Sequence, residues 1–300
     1  MRGSAFGLVW DSNLTTTEGV LSGMRTVYRE KKYTCGEYLD VFIYPVFETG
    51  KRSGGRRKKR KPSTDAQKKL NQRHREEKLT RQLHANFTPE DLELHATYKV
   101  QPEDDKAALR DRSNFLRSLQ RYAKKNGLGE VKYMGVTERG KRGGRYHHHF
   151  TIHVEKGIDR DVLEKLWTKT EGHGYANTKR LQFSEEGLVG LGKYISKSPI
   201  GYRAWTSSRN LIDPPPKTRD GRISGKRARE LAENIQDGTQ FEKLYPGYLC
   251  AKAETWHNDV NGGCYLKVGL YREDGTFIQP KQKPKAKPKP KTKRKRKQKK

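Results

Sequence analysis

Residues Tyr146 to Val154 read YHHHFTIHV. Side chains alternate between the two faces of a strand, so His147, His149, Thr151 and His153 share one face. His148, Phe150, Ile152 and Val154 share the other, and its apolar character marks it as the core side. His147 and His149 then stand together on the open side. Upstream, VKYMGVTE (Val131 to Glu138) also has strand composition, and the RGKRGGR loop between the two runs is rich in glycine. An antiparallel hairpin is the simplest connection. If Glu138 ends the first strand, the loop carries its carboxylate close to the two imidazoles. Two histidines and a carboxylate suit Mn²⁺, Mg²⁺ or Zn²⁺ and leave coordination positions open for substrate oxygens.

Working outward, LELHATYKV (Leu92 to Val100) is expected to be a strand. A helix follows from about Asp104, with Ala108, Phe115, Leu119 and Tyr122 near one face and Gly127 at its stop. A second helix starts behind a capping Asp159 and turns Leu163, Leu166 and Trp167 to one side. YANTKRLQF after Gly174 is another strand, and EEGLVGLGKYISKS turns helical. The order strand, helix, hairpin, helix, strand, helix predicts an α+β fold with a central antiparallel β-sheet and flanking helices.

That last helix carries Leu188, Leu191 and Ile195 as an apolar stripe, with Tyr194 and Lys197 together on one flank. A phenol with a pKa near 10 is a poor nucleophile until a cation, a metal or a base favours its phenolate form. A metal, a tyrosine and a lysine are the parts needed to break a phosphodiester bond. The loop residues Arg139, Lys141, Arg142 and Arg145 lie beside the expected metal and could clamp phosphates.

The rest of the chain says what kind of phosphate. Its 300 residues include 65 Lys+Arg against 35 Asp+Glu, a formal net charge of +30. That excess favours a polyanion, most simply nucleic acid, and makes binding salt-dependent. The hydrophobic share of 31% points to one modest core with basic segments around it. No apolar run is long enough to span a membrane, and the N-terminus lacks a secretory core segment. Three widely spaced cysteines (Cys35, Cys250, Cys264) argue against a disulfide framework and for a cytoplasmic, reducing setting. Residues 1–50 hold strand-like patches such as YLDVFIYPVF, without a clear role. Residues 51–85 read as a basic linker that turns helical, 86–215 as the folded domain, 216–279 as a C-terminal extension and 280–300 as a disordered Lys/Pro tail. GRISGKR at Gly221 lacks the spacing and the Ser or Thr of a phosphate-binding loop, so helicase activity is expected from elsewhere.

Four segments together resemble the HUH-type rolling-circle replication initiators of bacterial plasmids and phages, of the single-tyrosine kind. LHANFTPEDLELHATYK (Leu83 to Lys99) looks like their first motif and VTERGKRGGRYHHHF like their metal motif. GLVGLGKYISKSP is similar to their tyrosine motif, and WTSSRNLIDP (Trp205 to Pro214) resembles a segment that often follows it. There are two departures. The first motif reads His95-Ala96-Thr97-Tyr98 where the family favours a more apolar, threonine-richer run, and the middle of the histidine pair is His148 instead of a hydrophobic residue. The resemblance implies a ferredoxin- or RRM-like nuclease fold and a bound Mg²⁺ or Mn²⁺. His147, His149 and Glu138 would be ligands, Tyr194 would be the nucleophile and Lys197 its helper. Thr97, Arg139, Lys141, Arg142 and Arg145 would contact DNA. It implies nicking and rejoining of single-stranded or hairpin origin DNA through a 5′-phosphotyrosine link. The partners would be a host polymerase, helicase and single-strand-binding protein. A single-tyrosine transposase or relaxase shares this logic. A basic nucleic-acid-binding protein without catalysis, or a nuclease using water, would be different in kind, and a covalent adduct separates them.

Overall fold

A computed structural model describes residues 26–47, 65–140, 144–184, 186–196, 205–258 and 262–275. The expected linker start at 51–64, the tail at 280–300, and Lys141, Arg142 and Lys197 lie outside the described residues. In chain order the elements begin β1 (Thr26–Cys35), β2 (Tyr38–Phe47), α1 (Asp65–Asn86), β3 (Leu92–Tyr98), α2 (Asp105–Lys125), β4 (Val131–Arg139), β5 (Tyr146–Val154) and α3 (Arg160–Thr168). They continue β6 (His173–Arg180), α4 (Val189–Ser196), β7 (Thr206–Ser207), β8 (Pro216–Asp220), α5 (Gly225–Glu233), α6 (Thr239–Leu244), β9 (Tyr248–Asn258) and β10 (Gly263–Arg272).

The architecture is α+β, with two five-stranded antiparallel sheets in place of the single central sheet expected. The sheet ordered β6-β3-β5-β4-β7 contains the predicted hairpin, with Glu138 opposite His147 and Val136 opposite His149. One face is closed by α2 and α3. Leu94, Phe150 and Ile152 meet Phe115, Leu119, Leu163 and Trp167 there. Each such side chain, once removed from water, contributes about 1.5–3 kcal/mol. Both helices start as their sequences dictate: Asp104 accepts a hydrogen bond from the Ala107 amide and Asp159 from the Asp161 amide. Tyr122, expected on the buried stripe of α2, is only partly covered, and Ala123 takes the inner position.

The second sheet, ordered β8-β1-β2-β10-β9, joins the N-terminal hairpin to the C-terminal extension. Leu39, Val41 and Ile43 of β2 and Leu266, Val268 and Leu270 of β10 pack under α5 and α6. The alternate residues face the other way, toward α1. That helix lies between the two sheets. Its Leu79 and Leu83, with Phe87 just past its end, meet Met134, Val136 and Leu188 on the hairpin side, while its Arg81 pairs with Asp40 of β2 at 3.4 Å. Helix α1 thus has two buried sides of different character, one apolar and one ionic. Asp40 is almost fully buried, and burial pushes its carboxyl up to about 6 against the pull of Lys267 and Arg81.

His84 of α1 joins the two halves. Its Nδ1–H donates to the Thr80 carbonyl (2.9 Å), so its Nε2 is the acceptor, for the Tyr271 hydroxyl at 2.8 Å and the Leu188 amide at 3.0 Å. Gly187, at φ +64°, lets the chain pass there: a Cβ would collide with the Tyr271 hydroxyl and the His84 ring. The arrangement requires a neutral imidazole, and burial lowers the His84 pKa from 6.5 to about 4. The unfolded chain therefore binds a proton that the folded chain refuses between those values. Stability is full above about pH 6.5 and falls as the pH drops toward 4, by up to about 3 kcal/mol from this residue. Asp40, raised to about 6, gains stability over the same interval, so the readout is a difference: on acidification from about pH 6.5 to 4 the thermal midpoint of the wild type should change more unfavourably than that of His84→Phe. An equal change in the variant would remove His84 as the cause. Among the described residues, no helix is long and apolar enough to cross a membrane.

Candidate metal centre

Strand β3 lies next to β5, with His95 opposite His149 and Thr97 opposite His147. Paired residues point to the same side of a sheet, so the open face carries His95 as well as His147 and His149. Their ligand atoms all lie within 4.8 Å of one another. The His95 and His149 rings stack at 4.6 Å, and both stand edge-on to His147, at 5.5 and 5.2 Å. This trio is the only group of its kind found among the described residues. Such a cluster of nitrogen donors could hold a metal ion.

Glu138 is buried and its Oε2 sits 3.3 Å from His147 Nε2. The hairpin thus brings together the three residues singled out in the sequence, and β3 adds His95. The local sequence carried one sign of this: His95 and Thr97 alternate as a strand face should, but what they face depends on which strand lies alongside.

The electrostatics fit ligation. His149 is lowered to about 3, first by burial and then by His95 and His147. His95 is lowered by burial and by His147. His147 is raised, chiefly by its hydrogen bond to Glu138. Two rings are therefore held neutral, as a ligand must be, and the third leans on a carboxylate that can orient it.

His148 shows why the register matters. It points into the core, fully buried, with Nε2 at 2.7 Å from the Tyr98 hydroxyl and Nδ1 at 2.9 Å from Thr137 Oγ1. Both ring nitrogens are engaged, and burial holds it well below the usual histidine value. His153, on the cluster's own face, is bound to Asp91 at 2.7 Å.

An open pocket of about 410 Å³ adjoins the cluster, lined by His95, Thr97, Arg145, Tyr146, His147 and His149. Thr97 and Arg145 are thus where a ligand would meet them, and Arg145 is steadied by the Tyr98 carbonyl at 3.0 Å. Arg139 is not among the lining residues. One position along from Glu138, it turns to the opposite face, where its guanidinium bonds the Tyr146 hydroxyl at 2.6 Å.

Helix α4, which includes Tyr194, belongs to the histidine side of the sheet. Leu188 and Leu191, just before and within it, pack with Met134 and Val136, and Val136 is the register partner of His149. Gly192 lets α4 lie close against α1, since a Cβ there would come within 2.5 Å of Thr80 Oγ1. The tyrosine-bearing helix and the three histidines therefore share one sheet face, whose β4 side is covered and whose β3–β6 side is open.

Residues 94–199 match the family model of the replication-associated protein ORF2. The match begins one residue before His95 and includes the whole of α4. No curated protein and no solved structure matches the chain.

Proposed function

With residues 94–199 matching a phage rolling-circle replication initiator family, we propose that this chain nicks and rejoins single-stranded origin DNA through a covalent tyrosine link. The observation that carries the proposal is the placement of a three-histidine cluster and the Tyr194 helix on one sheet face, beside an open pocket bordered by Arg145 and Thr97. The strongly basic chain supplies the affinity for a polyanion.

His95, His147 and His149 would hold the ion, and Glu138 would orient His147. Three imidazoles suit Mn²⁺ better than Mg²⁺, which prefers oxygen ligands. A divalent cation there supplies neutralisation of charge on a phosphate oxygen. Arg145 and Thr97 bind and orient the flanking backbone. The Tyr194 phenol gives up its proton to solvent and its oxygen forms a bond to phosphorus. The bond from phosphorus to the 3′ oxygen breaks, and that oxygen takes up a proton. The product is a 5′-phosphotyrosine and a free 3′ hydroxyl. One ester replaces another, so a later attack by a 3′ hydroxyl restores the strand without ATP. Lys197 would favour the phenolate. The 3′ end would prime a host polymerase, with strand separation and single-strand coating by host proteins.

The test incubates the protein with 3′-end-labelled single-stranded DNA from its own replicon and Mn²⁺, then denatures it in SDS, because the label must lie on the strand that stays linked to the protein. A labelled protein band that EDTA prevents is the expected result. Cleavage without a band points to a water nucleophile. Binding with neither reduces the protein to a nucleic-acid binder and overturns the proposal.

A further inference from the structure

Strand β6 is an edge strand, and it flanks β3 on the open side of the histidine face. Its register sets Asn177 opposite His95 and Lys179 opposite Glu93. Tyr175, Asn177 and Lys179 therefore stand on the same face as the cluster, while Ala176 and Thr178 point to the buried side. Tyr175 is 67% exposed, an unusual state for a large ring on a sheet face. It is nonetheless held in place. Thr97 Oγ1 donates to the Tyr175 carbonyl at 2.8 Å, and Asn177 Nδ2 donates to the Tyr175 hydroxyl at 3.1 Å. Thr97 itself lines the histidine pocket. Of the nearby cations, Lys179 pairs with Glu93 at 3.3 Å and Arg180 with Glu90 at 3.5 Å, both at the exposed surface. What this edge offers a ligand is thus a fixed aromatic surface beside the place where a phosphate would sit.

We propose that Tyr175 is a stacking platform for a base of single-stranded DNA, next to the phosphate bound at the histidines. The inference rests on the nicking function above and assigns it a base-binding subsite. Every base has a π face, so such a platform holds a strand without reading its sequence, and the tethered hydroxyl limits the ordering that binding must bring about. Since stacking displaces no counterions, it also differs from a phosphate contact in its response to salt.

The test uses the full chain and a short oligothymidylate carrying one fluorescent adenine isomer, 2-aminopurine, whose emission is quenched on stacking. Wild-type protein should bind and quench it. Tyr175→Ala should bind about tenfold more weakly, with the quench lost, while Tyr175→Phe and Tyr175→Trp keep both. The salt dependence of binding should be unchanged in Tyr175→Ala but reduced by about one counterion in Arg145→Ala. Unaltered Mn²⁺ binding by Tyr175→Ala shows that the fold and the cluster survive the change. Wild-type affinity and quench in Tyr175→Ala, or an equal loss in Tyr175→Phe, overturns the platform. If wild-type protein still forms its covalent adduct in that case, only this inference fails. If wild-type protein binds no single-stranded DNA at all, the nicking function fails with it.

Discussion

Tyr194→Phe is expected to abolish the SDS-stable protein–DNA band, lowering adduct formation by at least on the order of a thousandfold. Phenylalanine keeps the ring and removes the one oxygen that can bond to phosphorus. It is also as good a helix former as tyrosine, so α4 should keep its seat on the histidine face. Mn²⁺ binding and affinity for single-stranded DNA should consequently stay near wild type. That combination separates loss of a nucleophile from loss of the site. Should the band persist in Tyr194→Phe, another residue attacks and the assignment of Tyr194 falls. Of the fifteen tyrosines in the chain, Tyr175 is the first to examine then, because it stands on the histidine face.

Mn²⁺ titrated calorimetrically into three variants should rank the ligands. His149→Ala and His95→Ala are each expected to weaken binding by on the order of a hundredfold or more, since each removes a donor from a cluster of three. Glu138→Gln keeps the shape and can still hydrogen-bond His147, so it should cost on the order of tenfold, the effect of an orienting partner. If Glu138→Gln is the costlier change and His95→Ala is nearly silent, the carboxylate is the third ligand and His95 only a neighbour. The pH dependence has a fixed sign. Bound metal and bound proton exclude each other at these rings, so affinity should rise with pH until His147, the ring with the raised value, has lost its proton.

The hairpin and its chemistry were legible in the sequence because everything needed was local. Alternation in YHHHFTIHV separated His148 from its neighbours, and the glycine-rich loop fixed the partner strand. The helices announced themselves by capping aspartates and apolar spacing. His95 was legible only as a departure from a motif, because its role follows from β3 lying beside β5, about fifty residues away in sequence. The second sheet escaped for the same reason. YLDVFIYPVF shows a strand, but nothing in it says that its partners are β1 and a strand beginning at Gly263. Helix α1 was recognised as helical from composition. Its sequence reads as part of a basic linker, whereas the structure sets its charges against Asp40 and Lys267. The charge on Arg139 gave no warning that its side chain would turn away from the pocket.

The pairing of β2 with β10 also dictates a timetable for synthesis. The sheet that carries the histidines is complete once residue 207 has left the ribosome, and its contacts are comparatively local. The N-terminal hairpin emerges first but finds its strand neighbours last, when residues 216–220 and 263–272 arrive. Until then β2 presents an unpaired edge and an apolar face, Leu39, Val41 and Ile43, to whatever is near. Closing so long a loop is slow, so this stretch is the one expected to need shielding by a chaperone and to aggregate in chains cut short before Gly263.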